Sequence, residues 1–172
     1  MGNDRPDFAE FYSGAKDDCL RTVLVSVGDR ETAQDLVAEA FARACASWRT
    51  VSRHPAPKAW VVRTALNANI SRWRHRRREV VVADPAAVLD LAGADGAAAD
   101  GGLAGSPVMA ALLRLPLRQR QVVGLRLLLD LDTDTTAEVL GIAPGTVKAH
   151  LSRALAALRE DLSHARPEES FR

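Results

Sequence analysis

The chain is poor in the residues that staple, ligate or catalyse. It has two cysteines, Cys19 and Cys45, among 172 residues and no C-x-x-C pair. That excludes a disulfide framework, and with no histidine at metal-ligand spacing it argues against a zinc site. Both cysteines read as small buried hydrophobes. The four histidines, His54, His75, His150 and His164, are scattered. No nucleophile-base pair, P-loop or Gly-rich fingerprint accompanies them, so the sequence reads as a non-enzyme with no metal and no cofactor. There is no N-terminal apolar segment of signal-peptide type and no run of about 18 apolar residues, which predicts a cytoplasmic protein without membrane insertion. Nor does any stretch alternate long enough to read as a strand. What remains is an all-α chain.

Charge is scarce in total and uneven in place. The net charge of +1 does not describe a protein that coats nucleic acid along its whole surface. Yet residues 1 to 79 hold 14 Lys and Arg against 10 Asp and Glu, residues 80 to 107 none against 4, and residues 108 to 172 9 against 8. The excess peaks in SRWRHRRRE, residues 71 to 79. By itself such a run is either a solvated face or a phosphate-binding one.

The stretch 86 to 105, AAVLDLAGADGAAADGGLAG, reads as a flexible, mildly acidic linker. It separates two helical segments, giving expected boundaries of 1–80, 81–107 and 108–165, with a frayed tail at 166–172. In the first segment, helices are predicted over 7–26, 30–48 and 57–78. Leu36, Val37, Ala40, Phe41 and Ala44 form the apolar stripe of the middle one. Pro55 and Pro57 make the break before the third helix firm. Trp48 and Trp60 flank that break and read as core anchors. Trp73, inside the arginine run, can cover the bundle's end or meet a base. In the second segment, DTDTTAEVLGIAPGTVKAHLSRALAALRE (132–160) reads as a helix, a turn at Gly141, and a longer helix beginning near Pro144. Val147, Leu151, Ala154, Leu155 and Leu158 form its apolar stripe. Thr146, Lys148, His150, Ser152 and Arg153 take other faces, as in a helix-turn-helix whose second helix enters the major groove. A plain αα-hairpin would share the glycine turn.

Together these stretches resemble the extracytoplasmic-function (ECF) sigma factors of the bacterial sigma-70 family. DRETAQDLVAEAFARACASW (29–48) is similar to region 2.2. The resemblance implies that Gln34, Asp35, Glu39 and Arg43 face the β′ clamp helices of core RNA polymerase, although the same face suits a solvated helix. PAPKAWVVRTALNANISRWRHRRRE (55–79) is similar to regions 2.3 and 2.4. There Lys58, Trp60, Arg63, Asn67 and Ser71 would meet the minus-ten element, Asn67 lining a pocket for an unstacked base, while Arg74, Arg76, Arg77 and Arg78 would hold backbone phosphates. An exposed or helix-capping amide is the structural alternative for Asn67. LPLRQRQVVGLR together with LGIAPGTVK is similar to region 4, which reads the minus-thirty-five element and, in the family, meets the β flap. Thr135 and Thr136 depart from the family's usual Glu and Ile, and His150 and Leu155 from two usual arginines. These departures predict weaker phosphate anchoring in region 4. The implied function is promoter recognition by polymerase and opening of the minus-ten element, with promoter DNA and core polymerase as partners; an anti-sigma factor is permitted. A free-standing helix-turn-helix regulator that binds duplex DNA as a dimer is the alternative.

Overall fold

The computed structural model describes residues 4–83 and 106–164, with side chains over 7–72 and 106–163. Described residues are helical or in turns, with no strand among them. Helix α1 spans Asp4–Val27, α2 Arg30–Ala46, α3 Trp48–Val51 and α4 Pro57–Ala83. The second half has α5 (Pro107–Arg114), α6 (Leu117–Val123), a π-helical segment (Gly124–Leu128), α7 (Thr133–Leu140) and α8 (Pro144–His164). Of the expected linker, 81–107, residues 84–105 lie outside the described residues, while 81–83 continue α4 and Pro107 opens α5; the expected tail, 166–172, also lies outside them.

The breaks have local causes. Gly28, at φ 87°, ends α1 in a conformation that disfavours a side chain. Asp29 then caps α2, its carboxylate accepting from the Thr32 N–H at 2.7 Å. The Thr32 side chain first, and that backbone bond second, hold the Asp29 carboxyl below the usual range. Pro57 opens α4 at a position where a missing N–H costs nothing. Ser106 caps α5 through the Met109 N–H at 3.1 Å, with Pro107 next to it. Gly141, at φ 64°, is the left-handed turn between α7 and α8. The predicted 30–48 helix is interrupted at Ser47, where α3 begins.

Packing follows the stripe. Leu36, Val37, Ala40, Phe41 and Ala44 of α2 are all buried, and α2 lies between α1 and α4. Trp48 is a core anchor, 5.3 Å edge-on to Phe8 and 5.0 Å from Phe11 between ring centroids. Cys19 is fully buried, and burial pushes its thiol up to about 12. Cys45 corrects the expectation for it: the residue is exposed. Ala44 takes the inward position of that turn, and one further residue rotates Cys45 about 100° away.

The second half packs α6 and α7 on α8. Val122, Ala137 and Val147 form a small buried cluster, and Ile142 packs against it from the turn. The halves also pack on each other. Helix α1 touches α5, α6 and the π segment, α4 touches α7, and one hydrophobic cluster runs from Val23 and Leu36 through to Leu125 and Ala154.

Candidate functional site

Three outward faces carry the residues singled out above. On α2, Gln34, Asp35 and Arg43 are exposed and Glu39 is half-buried. The Glu39 carboxylate accepts from Arg43 Nη2 at 2.6 Å, one turn along, and from Arg72 Nη2 at 2.9 Å, across on α4. Exposed pairs of this kind contribute at most about 1 kcal/mol each. Their effect is positional, tying the α2 face to the middle of α4.

On α4 the inward positions go to Ala59, Val61, Val62, Ala65 and Leu66. The opposite ridge runs Trp60, Arg63, Asn67, Ser71, successive steps of three, four and four that stack along one helix face. Arg63, Asn67 and Ser71 are exposed, and Trp60 is half-buried against the core at the head of the ridge. A half-buried indole, a guanidinium, an amide and a hydroxyl in a row offer stacking, charge and both donor and acceptor groups. Lys58 stands at the start of the helix, with Nζ 2.7 Å from Asp18 Oδ2 on α1. Lys58 first and Arg21 second hold the Asp18 carboxyl below its ordinary range, against a smaller opposing effect of burial. The α4 backbone continues unbroken through Trp73, Arg74, Arg76, Arg77 and Arg78, whose side chains lie outside those described.

On α8, Thr146, Lys148, Ser152 and Arg153 are exposed, while Val147 and Ala154 are buried beneath them. His150 differs: it is half-buried, and its Nδ1 is shielded without a hydrogen-bond partner. The two threonines that depart from the family's pattern have a use in the fold. Thr136 is fully buried, with Oγ1 donating to the Asp132 carbonyl at 2.7 Å. Thr135 donates both its N–H and its hydroxyl to the Asp132 carboxylate, at 2.7 and 2.9 Å. Those bonds, the backbone one first, hold the Asp132 carboxyl below the usual range. Asp132 thus caps α7, and both threonines are tied to it.

Sequence reasoning placed the three faces but missed their internal ties. Glu39–Arg72 and Lys58–Asp18 join residues 33 and 40 apart in the chain, and no periodicity signals such a pairing. Among the described residues no cluster of His, Cys, Asp and Glu could hold a metal ion. No described helix is long and apolar enough to cross a membrane.

Comparison with known proteins gives these faces their context. The chain matches Sigma-70 region 2 over residues 16–79 and Sigma-70, region 4 over residues 106–158. It is 35% identical over 156 residues to the RNA polymerase sigma-E factor of Streptomyces coelicolor, covering 91% of this chain and 86% of that protein. It is 28% identical over 169 residues to the ECF RNA polymerase sigma factor SigW of Bacillus subtilis, covering 92% and 90%. The sigma factor RpoE, solved in complex with the anti-sigma factor NepR from Bartonella quintana, matches with a TM-score of 0.74 at 25% identity. That match covers 93% of this chain and 99% of that one. Both sigma regions, in order and on one all-helical scaffold, place the chain in the ECF group of the sigma-70 family: it is an RNA polymerase sigma factor.

Proposed function

We propose that the three outward faces divide the work of a promoter-specificity subunit that performs no chemistry of its own. Residues 1–80 act as region 2 and residues 108–165 as region 4. Gln34, Asp35, Glu39 and Arg43 of α2 meet the β′ clamp helices of core polymerase, and region 4 meets the β flap. Trp60, Arg63, Asn67 and Ser71 read the opened minus-ten element, with Lys58 at its edge and Arg74, Arg76, Arg77 and Arg78 holding phosphates. Thr146, Lys148, His150, Ser152 and Arg153 approach the minus-thirty-five duplex.

The α4 ridge carries this reading: a helix that buries small and branched apolar residues on one side keeps a half-buried indole, an exposed cation and an exposed amide on the other. A free-standing dimeric regulator has no need of such a ridge, and the family match across both halves does not favour one. Because a related sigma factor was solved with an anti-sigma factor, we also assign this chain an inhibitor of that class. Its place of action is the cytoplasm, where polymerase and promoters are.

Transcription reconstituted with core polymerase on genomic fragments tests the proposal. Discrete start sites that require the added chain are expected. Their absence on every fragment, with polymerase shown to be active, ends the reading.

A further inference from the structure

Helix α8 turns its core stripe inward through Val147 and Ala154, both buried, with Leu151 and Leu158 packed beside them. A step of two residues turns an α-helix about 200°, and Ala149 stands two from Val147 and two from Leu151. Its methyl therefore points away from the body of the protein, and the residue is exposed. The residues that surround it on the helix surface, three and four positions to either side, are Gly145, Thr146, Ser152 and Arg153. All four are exposed. Lys148 and His150 stand about 100° to its two sides. Ala149 is thus the centre of the outward face, with the cations Lys148 and Arg153 around it.

Glycine weakens a helix relative to alanine, and at Gly145 no packing calls for it: a Cβ there would meet nothing within 4 Å. Its effect is to leave the first turn of α8 low beside Ala149. A duplex major groove is about 12 Å wide, close to the diameter of a helix with its side chains. The side chain at the centre of the entering face therefore sets how deeply the helix sits. Side chains at the rim of that face can reach phosphates, whereas the central one meets base edges. Alanine has only a methyl to offer there, with neither donor nor acceptor. The apolar group that bases present on the major-groove edge is the C5-methyl of thymine.

We propose that Ala149 is a specificity-determining residue of region 4. Its methyl packs on the C5-methyl of one thymine in the minus-thirty-five element, and its small size admits the helix to that depth. The inference rests on the assignment of α8 to the minus-thirty-five duplex and names the base chemistry read there. It separates a central reader from the cations that surround it.

The test removes one methyl at a time from each side of the contact. Core polymerase carrying the full chain is bound to a promoter fragment found by the transcription experiment above, and affinity is read by fluorescence anisotropy. Each thymine of the minus-thirty-five element, on either strand, is replaced in turn by deoxyuridine, which lacks only the C5-methyl. At one position the replacement should weaken binding about fourfold, as expected for one buried methyl group. Ala149→Gly removes the partner methyl, so the thymine-to-uracil affinity ratio at that position should fall from about four to about one. Thymines of the minus-ten element are the control, and their ratios should not move with that variant. Ala149→Gln keeps a good helix former but adds bulk, and should weaken binding to every sequence at least about tenfold. An element with no methyl-sensitive thymine, or a ratio that survives Ala149→Gly, would overturn the methyl contact. Full affinity for Ala149→Gln would overturn the central placement, because a surface alanine that serves only the helix accepts that change. Should Ala149→Gly not fold, the deoxyuridine scan and Ala149→Gln decide. If polymerase with the unchanged chain starts transcription on no fragment, the sigma-factor reading itself fails and the contact falls with it.

Discussion

Replacing Lys148 and Arg153 together by alanine tests whether region 4 anchors on phosphates. Both side chains are exposed on α8, above the buried Val147 and Ala154. Alanine is the best helix former, so the fold should lose little. Each cation that gives up a phosphate contact removes about 0.9 from the slope of log affinity against log salt, so the pair removes about 1.8. Between about 50 and 200 mM salt, the unchanged protein should then lose roughly twelvefold more affinity than the variant. The assay is fluorescence anisotropy of the polymerase-bound chain on a labelled promoter fragment, repeated across that salt range. Ser152→Ala is the uncharged control and should leave the slope alone. The same slope and affinity for the double variant would refute phosphate anchoring by these residues, whatever else region 4 does.

Asn67→Ala should relax base preference at one minus-ten position. Neutralising Arg74, Arg76, Arg77 and Arg78 should instead weaken binding across sequences and flatten the salt slope; identical, sequence-independent losses would merge reader and anchor into one role. Leu36→Ala empties a fully buried position, costing about 3 kcal/mol and lowering the unfolding midpoint by about 9 °C. Because the core spans both halves, calorimetry should show one transition that moves as a whole, and two transitions with only one displaced would contradict a shared core. At pH 8 the native chain should take up one equivalent of an alkylating reagent at the exposed Cys45, and Cys19 should react only on unfolding. The unfolded Cys19 thiol ionises from 9.0 upward while the folded one stays protonated to about 12. Its contribution to stability is therefore full below pH 9 and lost as pH rises through that window. Cys19→Ala should flatten the fall in midpoint between pH 8 and pH 11.

Much of this architecture was legible because its causes are local. Asp29 after Gly28, two prolines around Ala56, and Gly141 before Pro144 each act within a turn of themselves, and the α2 stripe shows its inward face directly. The outward placement of Gln34, Asp35, Arg63, Asn67, Lys148 and Arg153 follows from those stripes. Harder to read were features set by a neighbour elsewhere in the chain. Thr22 and Ser26 look like solvent-facing residues, and only the approach of Gly124 buries them. The π segment, with the Leu129 N–H reaching back to the Gly124 carbonyl at 3.2 Å, has no compositional mark in GLRLL. Cys45 departs from cysteine's general preference for burial because it sits one step past the stripe. Within the arginine run, Arg72 is drawn to Glu39, which like-charged neighbours in sequence could not reveal.

Glu39 carries a warning for anyone who dissects these surfaces by mutation. Its carboxylate is shared between Arg43 on its own helix and Arg72 on α4, so a change there alters two surfaces at once. A Glu39→Ala defect in transcription would confound loss of the proposed polymerase contact with a released cation beside the proposed minus-ten ridge. Gln34 and Asp35 stand exposed on the same helix without that bridge, and they are the cleaner probes of the proposed polymerase contact.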